Sequence, residues 1–336
     1  MKILNKVYAV LVSAVLLIGI SGCSSQKVSN EVKDSKKEVI ATLFPQYDFI
    51  REIAKDKVNI TLLLPPGVEA HSFEPTPQDI AKISNSELFV YTGKYMEPWA
   101  QKIIDSLSGK KTQFVDASKG IDLVDEESHH EEHEDADHKD ADHEDADHEK
   151  EENGHSHGGK DPHIWLDPVN AQKMVDNILE YLVKVDSSNE GFYRENANNY
   201  KNKLAQMDRN FSEDLKKVKS NKIIYGGHFA FGYFAKRYNL THISPYEGFA
   251  PNAEPTPKKI ADLIKNLKES GSTAIYYEEN IEPKVAKVIS EQTGAKMLLL
   301  HGAHNVSKEE LTKGLTYIKI MQDNLANLKE GLGYGR

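Results

Sequence analysis

The chain has 336 residues, one cysteine and a formal net charge of −10, which admits one large domain or two of ordinary size. The charge is lopsided: residues 121–152 hold 17 acidic side chains against two lysines, and the remainder carries +5. The folded part therefore has no basic footprint for nucleic acid, and a partner of that kind is not expected.

Residues 1–23 read as an export signal. Lys2 and Lys6 form a positive n-region, and Val7 to Ile20 is an apolar run of h-region length. The run is short of the about 20 apolar residues a membrane span needs. It ends in Ile20-Ser21-Gly22-Cys23, which resembles the lipobox of bacterial lipoproteins. The resemblance implies a lipid on Cys23 and a mature protein held outside the cytoplasm on a bacterial membrane. With that thiol consumed, neither a disulfide nor a thiolate metal ligand remains. Residues 24–37 are polar with little apolar content, as in a flexible tether.

From there short β-branched runs alternate with helical patterns, which predicts an α/β fold with mostly parallel strands. The first half offers strands at Val39–Phe44, Asn59–Leu64, Leu88–Tyr91 and Gln113–Asp116, with helical stretches at Gln46–Ala54, Pro77–Ile83 and Pro98–Leu107. The second half offers strands at Lys222–Tyr225, His242–Ser244, Ala274–Tyr277 and Met297–Leu300, helices at Lys258–Glu269 and Glu282–Thr293, and a closing helix from Lys308 to Glu330. Between the halves, Tyr193, Ala197, Tyr200, Leu204, Met207, Phe211 and Leu215 recur at three- and four-residue spacing. That pattern predicts one helix of about 28 residues within 190–219, about 40 Å long at 1.5 Å per residue. The expected organisation is an N-terminal lobe over 38–189, this linking helix, and a C-terminal lobe over 220–336.

Eight of the fourteen histidines fall in one acidic tract: His129, His130, His133, His138, His143, His148, His155 and His157. Imidazole is the usual ligand for borderline-soft divalent metals, so the tract reads as accessory metal binding. His133, His138, His143 and His148 are five apart, a spacing that scatters them round a helix and argues for a disordered loop over about 121–160.

Four solitary histidines occupy more constrained contexts. His71 follows a strand and a Pro65-Pro66-Gly67 loop, and His163 lies in Asp161-Pro162-His163-Ile164-Trp165-Leu166-Asp167-Pro168. His228 follows Tyr225-Gly226-Gly227, and His304 follows the last strand. Ligands gather at the carboxyl ends of strands in open α/β sheets. Four imidazoles from four loops would satisfy tetrahedral zinc without cysteine.

At these residues a resemblance becomes specific. The run from Pro65 through His71 to Thr76, the Asp161–Pro168 segment, the Gly227–Phe234 segment and Pro251-Asn252-Ala253-Glu254-Pro255-Thr256-Pro257 are similar to signatures of the solute-binding lipoproteins of zinc and manganese ABC importers. A His-rich loop ahead of the second signature is a feature of the zinc-specific members. The resemblance implies a C-clamp of two (β/α) lobes joined by one long helix, with metal in the cleft. It also implies His71, His163 and His228 as ligands. The fourth family position is a carboxylate or water in other members; counting from Thr293-Gly294 places His304 there, with His301, Glu279 and Glu278 as alternatives. Manganese-transporting relatives carry Glu where this chain has His228, and imidazole suits Zn²⁺ better than Mn²⁺.

The expected function is that of an extracytoplasmic receptor that delivers Zn²⁺ to an ABC-type membrane permease, acting as a monomer. A zinc buffer or adhesin built on the His-rich tract is the alternative. A zinc hydrolase is a further alternative, but no H-E-x-x-H motif supplies ligands and a base, and an enzyme is not expected.

Overall fold

The structure, a computed structural model, describes residues 36–125, 159–246 and 255–335. Cys23 and all eight tract histidines lie outside the described residues. Residues 36–336 group as one unit by backbone contacts. Among the described residues no helix is long and apolar enough to cross a membrane.

Strands β1 (Lys37–Ala41), β2 (Val58–Leu62), β3 (Leu88–Tyr91) and β4 (Gln113–Asp116) form a parallel sheet in the order β2-β1-β3-β4. Parallel neighbours need crossovers, which α1 (Phe44–Ala54), α2 (Pro77–Asn85) and α3 (Ala100–Ser106) provide. The start of α2 is set by its sequence: Pro77 occupies the first turn, and Thr76 and Asp79 form a capping box.

The second half repeats this plan. Strand β5 (Lys222–Ile224) pairs in parallel with β6 (Thr241–Ile243), and β7 (Ala274–Tyr277) with β8 (Lys296–Leu299). A parallel bridge between Tyr225 and Tyr276 joins the two pairs, so the strands run β6-β5-β7-β8, the same order as in the first half.

The linking element was predicted over 190–219 and is the 26-residue helix α5, Glu190–Leu215. All seven residues that predicted it are buried. Helix α4 (Pro168–Val185), which had not been predicted, packs along it. Its start is written in the sequence, since Asp167 caps it by accepting the Val169 N–H (2.7 Å) and Pro168 fills the first turn. The remaining helices are α6 (Gly232–Tyr238), α7 (Pro257–Ser270), α8 (Lys284–Thr293), α9 (Lys308–Thr312) and α10 (Tyr317–Gly331).

Several boundaries correct the sequence reading: the strand expected over Val39–Phe44 is Lys37–Ala41 with Phe44 opening α1, and the one expected over Asn59–Leu64 is Val58–Leu62. The helix expected over Lys308–Glu330 is broken into α9 and α10. Gly314 sits at φ 72°, a left-handed conformation that ends a helix, and Thr316 then caps the new start. The break is held against α1, where Asp48 accepts the Tyr317 N–H (2.8 Å) and Arg51 donates to the Leu315 carbonyl (3.0 Å). The β5 strand also ends one residue early, at Ile224; Tyr225 still donates its N–H to the Ile243 carbonyl of β6 (2.9 Å) and forms the bridge with Tyr276.

Candidate metal centre

The four solitary histidines meet. His71 arrives on the loop after β2, His228 on the loop after β5 and His304 on the loop after β8; His163 sits in the turn that leads into α4. One donor atom from each of the four lies within 4.8 Å of all the others. The six ring-centroid separations are 5.2, 4.9, 5.4, 5.1, 4.9 and 5.9 Å. An imidazole ligated at about 2.0–2.1 Å places its centroid about 3.2 Å from the ion, so a tetrahedral set has centroids about 5.2 Å apart. The observed separations scatter around that value.

Ring orientation follows from what stands behind each ring. His163 Nδ1 lies 2.7 Å from Asp161 Oδ1; the carboxylate holds the proton on Nδ1 and leaves the Nε2 lone pair facing inward. His163 Nε2 is 3.2 Å from His71 Nε2, close to the edge of a tetrahedral donor set. His304 Nδ1 is 3.2 Å from Glu279 Oε1, and its buried Nε2 has no hydrogen-bond partner in the protein. His228 Nδ1 is 3.6 Å from Glu278 Oε2, and Glu278 Oε1 accepts the His228 backbone N–H (3.1 Å). Burial alone would push the Glu279 carboxyl up, but the His301 and His304 imidazoles and the Gly302 N–H together pull it down to about 2.

The loops are tied across the two halves. Asn305 donates to the carbonyls of Pro65 (2.7 Å) and Val68 (2.9 Å), fixing the His304 loop on the His71 loop. Glu69 folds back to accept the His71 N–H (2.7 Å) and the Ser72 N–H (2.8 Å). Trp165, two residues beyond His163, donates from Nε1 to the Gly302 carbonyl (2.8 Å). Ala303 is buried and held at φ 58°, a left-handed conformation that costs a non-glycine residue about 1–2 kcal/mol. It turns the chain between the Gly302 contact and His304. The ends of the His-rich segment are also fastened: Tyr233 accepts the Val124 N–H (3.2 Å) and donates to the Asp161 carbonyl (2.8 Å), while Asp125 and Lys160 form an antiparallel bridge.

The other residues named for the fourth position, His301, Glu279 and Glu278, lie close to the cluster. His301 uses Nδ1 to accept the Ala303 N–H (2.9 Å) and is not part of the cluster. Glu278 and Glu279 stand behind rings as described. His242 stacks on Phe229 at 3.7 Å between centroids. Asp161 is not among the residues expected at the site; its spacing two residues before His163, across a proline, is the signal that marks it. Trp165 and Asn305 carry no comparable signal, because their role lies in contacts far along the chain. The cleft beside the rings, bounded by Val68, Glu69, Asn280 and Ile281, measures about 60 Å³, room for an ion and a few waters.

Parallel strands in two repeated halves, with imidazole donors converging from loops at their carboxyl ends, define an α/β protein with a candidate divalent-metal site. Residues 39–331 match the family model for ZnuA, the periplasmic component A of the zinc-uptake complex, and the chain belongs to that family. It is 42% identical over 323 residues to the high-affinity zinc uptake system protein ZnuA of Bacillus subtilis, covering 96% of each chain. The metal-dependent lipoprotein YcdH from Bacillus subtilis superposes with a TM-score of 0.71 at 39% identity, over 88% of this chain and 99% of that one. The Zn(II)-bound ZnuA-like domain of Streptococcus pneumoniae AdcA also gives 0.71, at 29% identity over 89% and 99%. Full-length zinc-binding lipoprotein AdcA from Streptococcus pneumoniae is longer, and this chain spans 61% of it at 31% identity.

Proposed function

We propose that the protein is a lipid-anchored extracytoplasmic receptor that captures Zn²⁺ between two lobes, 38–189 and 220–336, and passes it to the permease of an ABC-type importer. The observation that carries this reading is the convergence of His71, His163, His228 and His304, with ring separations near those of a tetrahedral imidazole set. Each ring coordinates through Nε2. Four imidazoles complete the tetrahedral shell of zinc and leave no position for an activated water, which argues for carriage rather than hydrolysis. The His-rich tract serves as an accessory collector, and Cys23 carries the anchor.

Titration with Zn²⁺ against a competing chelator tests this reading. Protein lacking residues 129–157 should keep one tight site, and replacing His71, His163 or His228 with Ala in that background should weaken it at least 100-fold. Loss of all tight binding on the deletion alone would assign the site to the tract and refute the reading.

A further inference from the structure

Behind the cluster stands a second layer of three acidic side chains. Asp161 faces the His163 ring at 2.7 Å, Glu278 the His228 ring at 3.6 Å and Glu279 the His304 ring at 3.2 Å. Their side chains are 7%, 14% and 9% exposed, so water screens them little. Space has been cleared for two of them. A Cβ on Gly232 would lie 2.5 Å from Asp161 Oδ2, and a Cβ on Gly227 would collide with Glu278 Oε1. Glu278 and Glu279 are consecutive on the loop after β7, so one short segment backs two rings that come from different loops.

Four neutral imidazoles alone carry no net charge and attract any cation that favours nitrogen, monovalent or divalent. Three carboxylates one ring away change that. The attraction between a fixed charge and an ion scales with the ion's charge, so a dication gains twice what a monocation gains at the same place. We propose that Asp161, Glu278 and Glu279 are positioning residues that make the four-imidazole site selective for divalent over monovalent metal ions. They act through the rings rather than by coordinating, and the proposal rests on the four-imidazole reading above.

The test compares Zn²⁺ with Ag⁺, a redox-inert monovalent probe used in chloride-free buffer, on the chain lacking residues 129–157. Glu278→Gln and Glu279→Gln are measured separately, with Asp161→Asn as the counterpart from the other half and the melting temperature of each metal-free variant recorded. Loss of a carboxylate behind a ligating histidine weakens metal binding by about 10–100-fold. The charge argument then predicts only about a 3–10-fold loss for Ag⁺, so the Zn²⁺/Ag⁺ preference falls with each variant. Glu279→Asp, which retains the charge, should keep the preference near that of the wild type. Equal losses for both ions would mean that the carboxylates only hold the rings in place, and no loss for either would mean they are inert; both results overturn the proposal. A variant too unstable to bind is replaced by the other two, which carry the same prediction. If the parent site is insensitive to His71→Ala, the four-imidazole reading has itself failed, and the proposal falls with it.

Discussion

Each ring at the cluster is placed by a partner on its far side or by its own loop, so the donor geometry is largely built before an ion arrives. The nearest analogue away from the site is Glu97, fully buried beneath the carboxyl ends of β1 and β3. Thr42 Oγ1 donates to it (2.5 Å), as do the N–H groups of Thr92 (3.0 Å) and Gly93 (3.1 Å). Burial outweighs these bonds and pushes its carboxyl up to about 7 from the ordinary 4.5. The folded value is the higher one, so the folded state holds this proton more tightly than the unfolded chain does. The resulting stability is fully present below pH 4.5 and is lost as pH rises through 7, a change on the order of 3 kcal/mol. Thermal melts of the metal-free protein between pH 4.5 and 7.5 should therefore show a shallower decline in Glu97→Gln than in the parent. Parallel curves would show that Glu97 keeps its charge in the fold.

Among the elements, α5 shows most clearly what periodicity can and cannot supply. Its buried face was legible because one stripe of Tyr, Leu, Met and Phe repeats at helical spacing over the whole element. Helix α4, its main packing partner, is an 18-residue amphipathic helix opened by Asp167 and Pro168, yet no expectation covers residues 168–185. The break between α9 and α10 was missed because apolar periodicity continues across it; the determinants are Gly314 and the distant Asp48 and Arg51. Leu204 is fully buried on the inner face of α5. Leu204→Ala should destabilise the fold by about 2–5 kcal/mol through the cavity it leaves. Zinc affinity of the still-folded protein should change less than threefold, because none of the site loops belongs to α5. Denaturant melts paired with zinc titration check both parts, and a large affinity loss would show that the helix positions the cleft directly.

At the scale of the whole molecule, the two halves share a strand order and are laced together at the site by Asn305, Trp165 and Tyr233. Four histidines far apart in the chain were recognisable singly, from the Pro- and Gly-bounded loops that carry them. Their convergence was an expectation drawn from strand ends and resemblance; Asp161 is marked by its spacing from His163, whereas the placement of Glu278 and Glu279 behind rings and the cross-half ties depend on contacts that no local spacing encodes. The central claim is that His71, His163, His228 and His304 together hold one zinc ion. Anomalous diffraction at the zinc edge on crystals of the zinc-loaded protein tests it most directly. A single strong peak about 2.0–2.1 Å from all four Nε2 atoms is the predicted result. A peak that replaces His304 with Glu279, His301 or a water, or that lies outside the cleft, would contradict it.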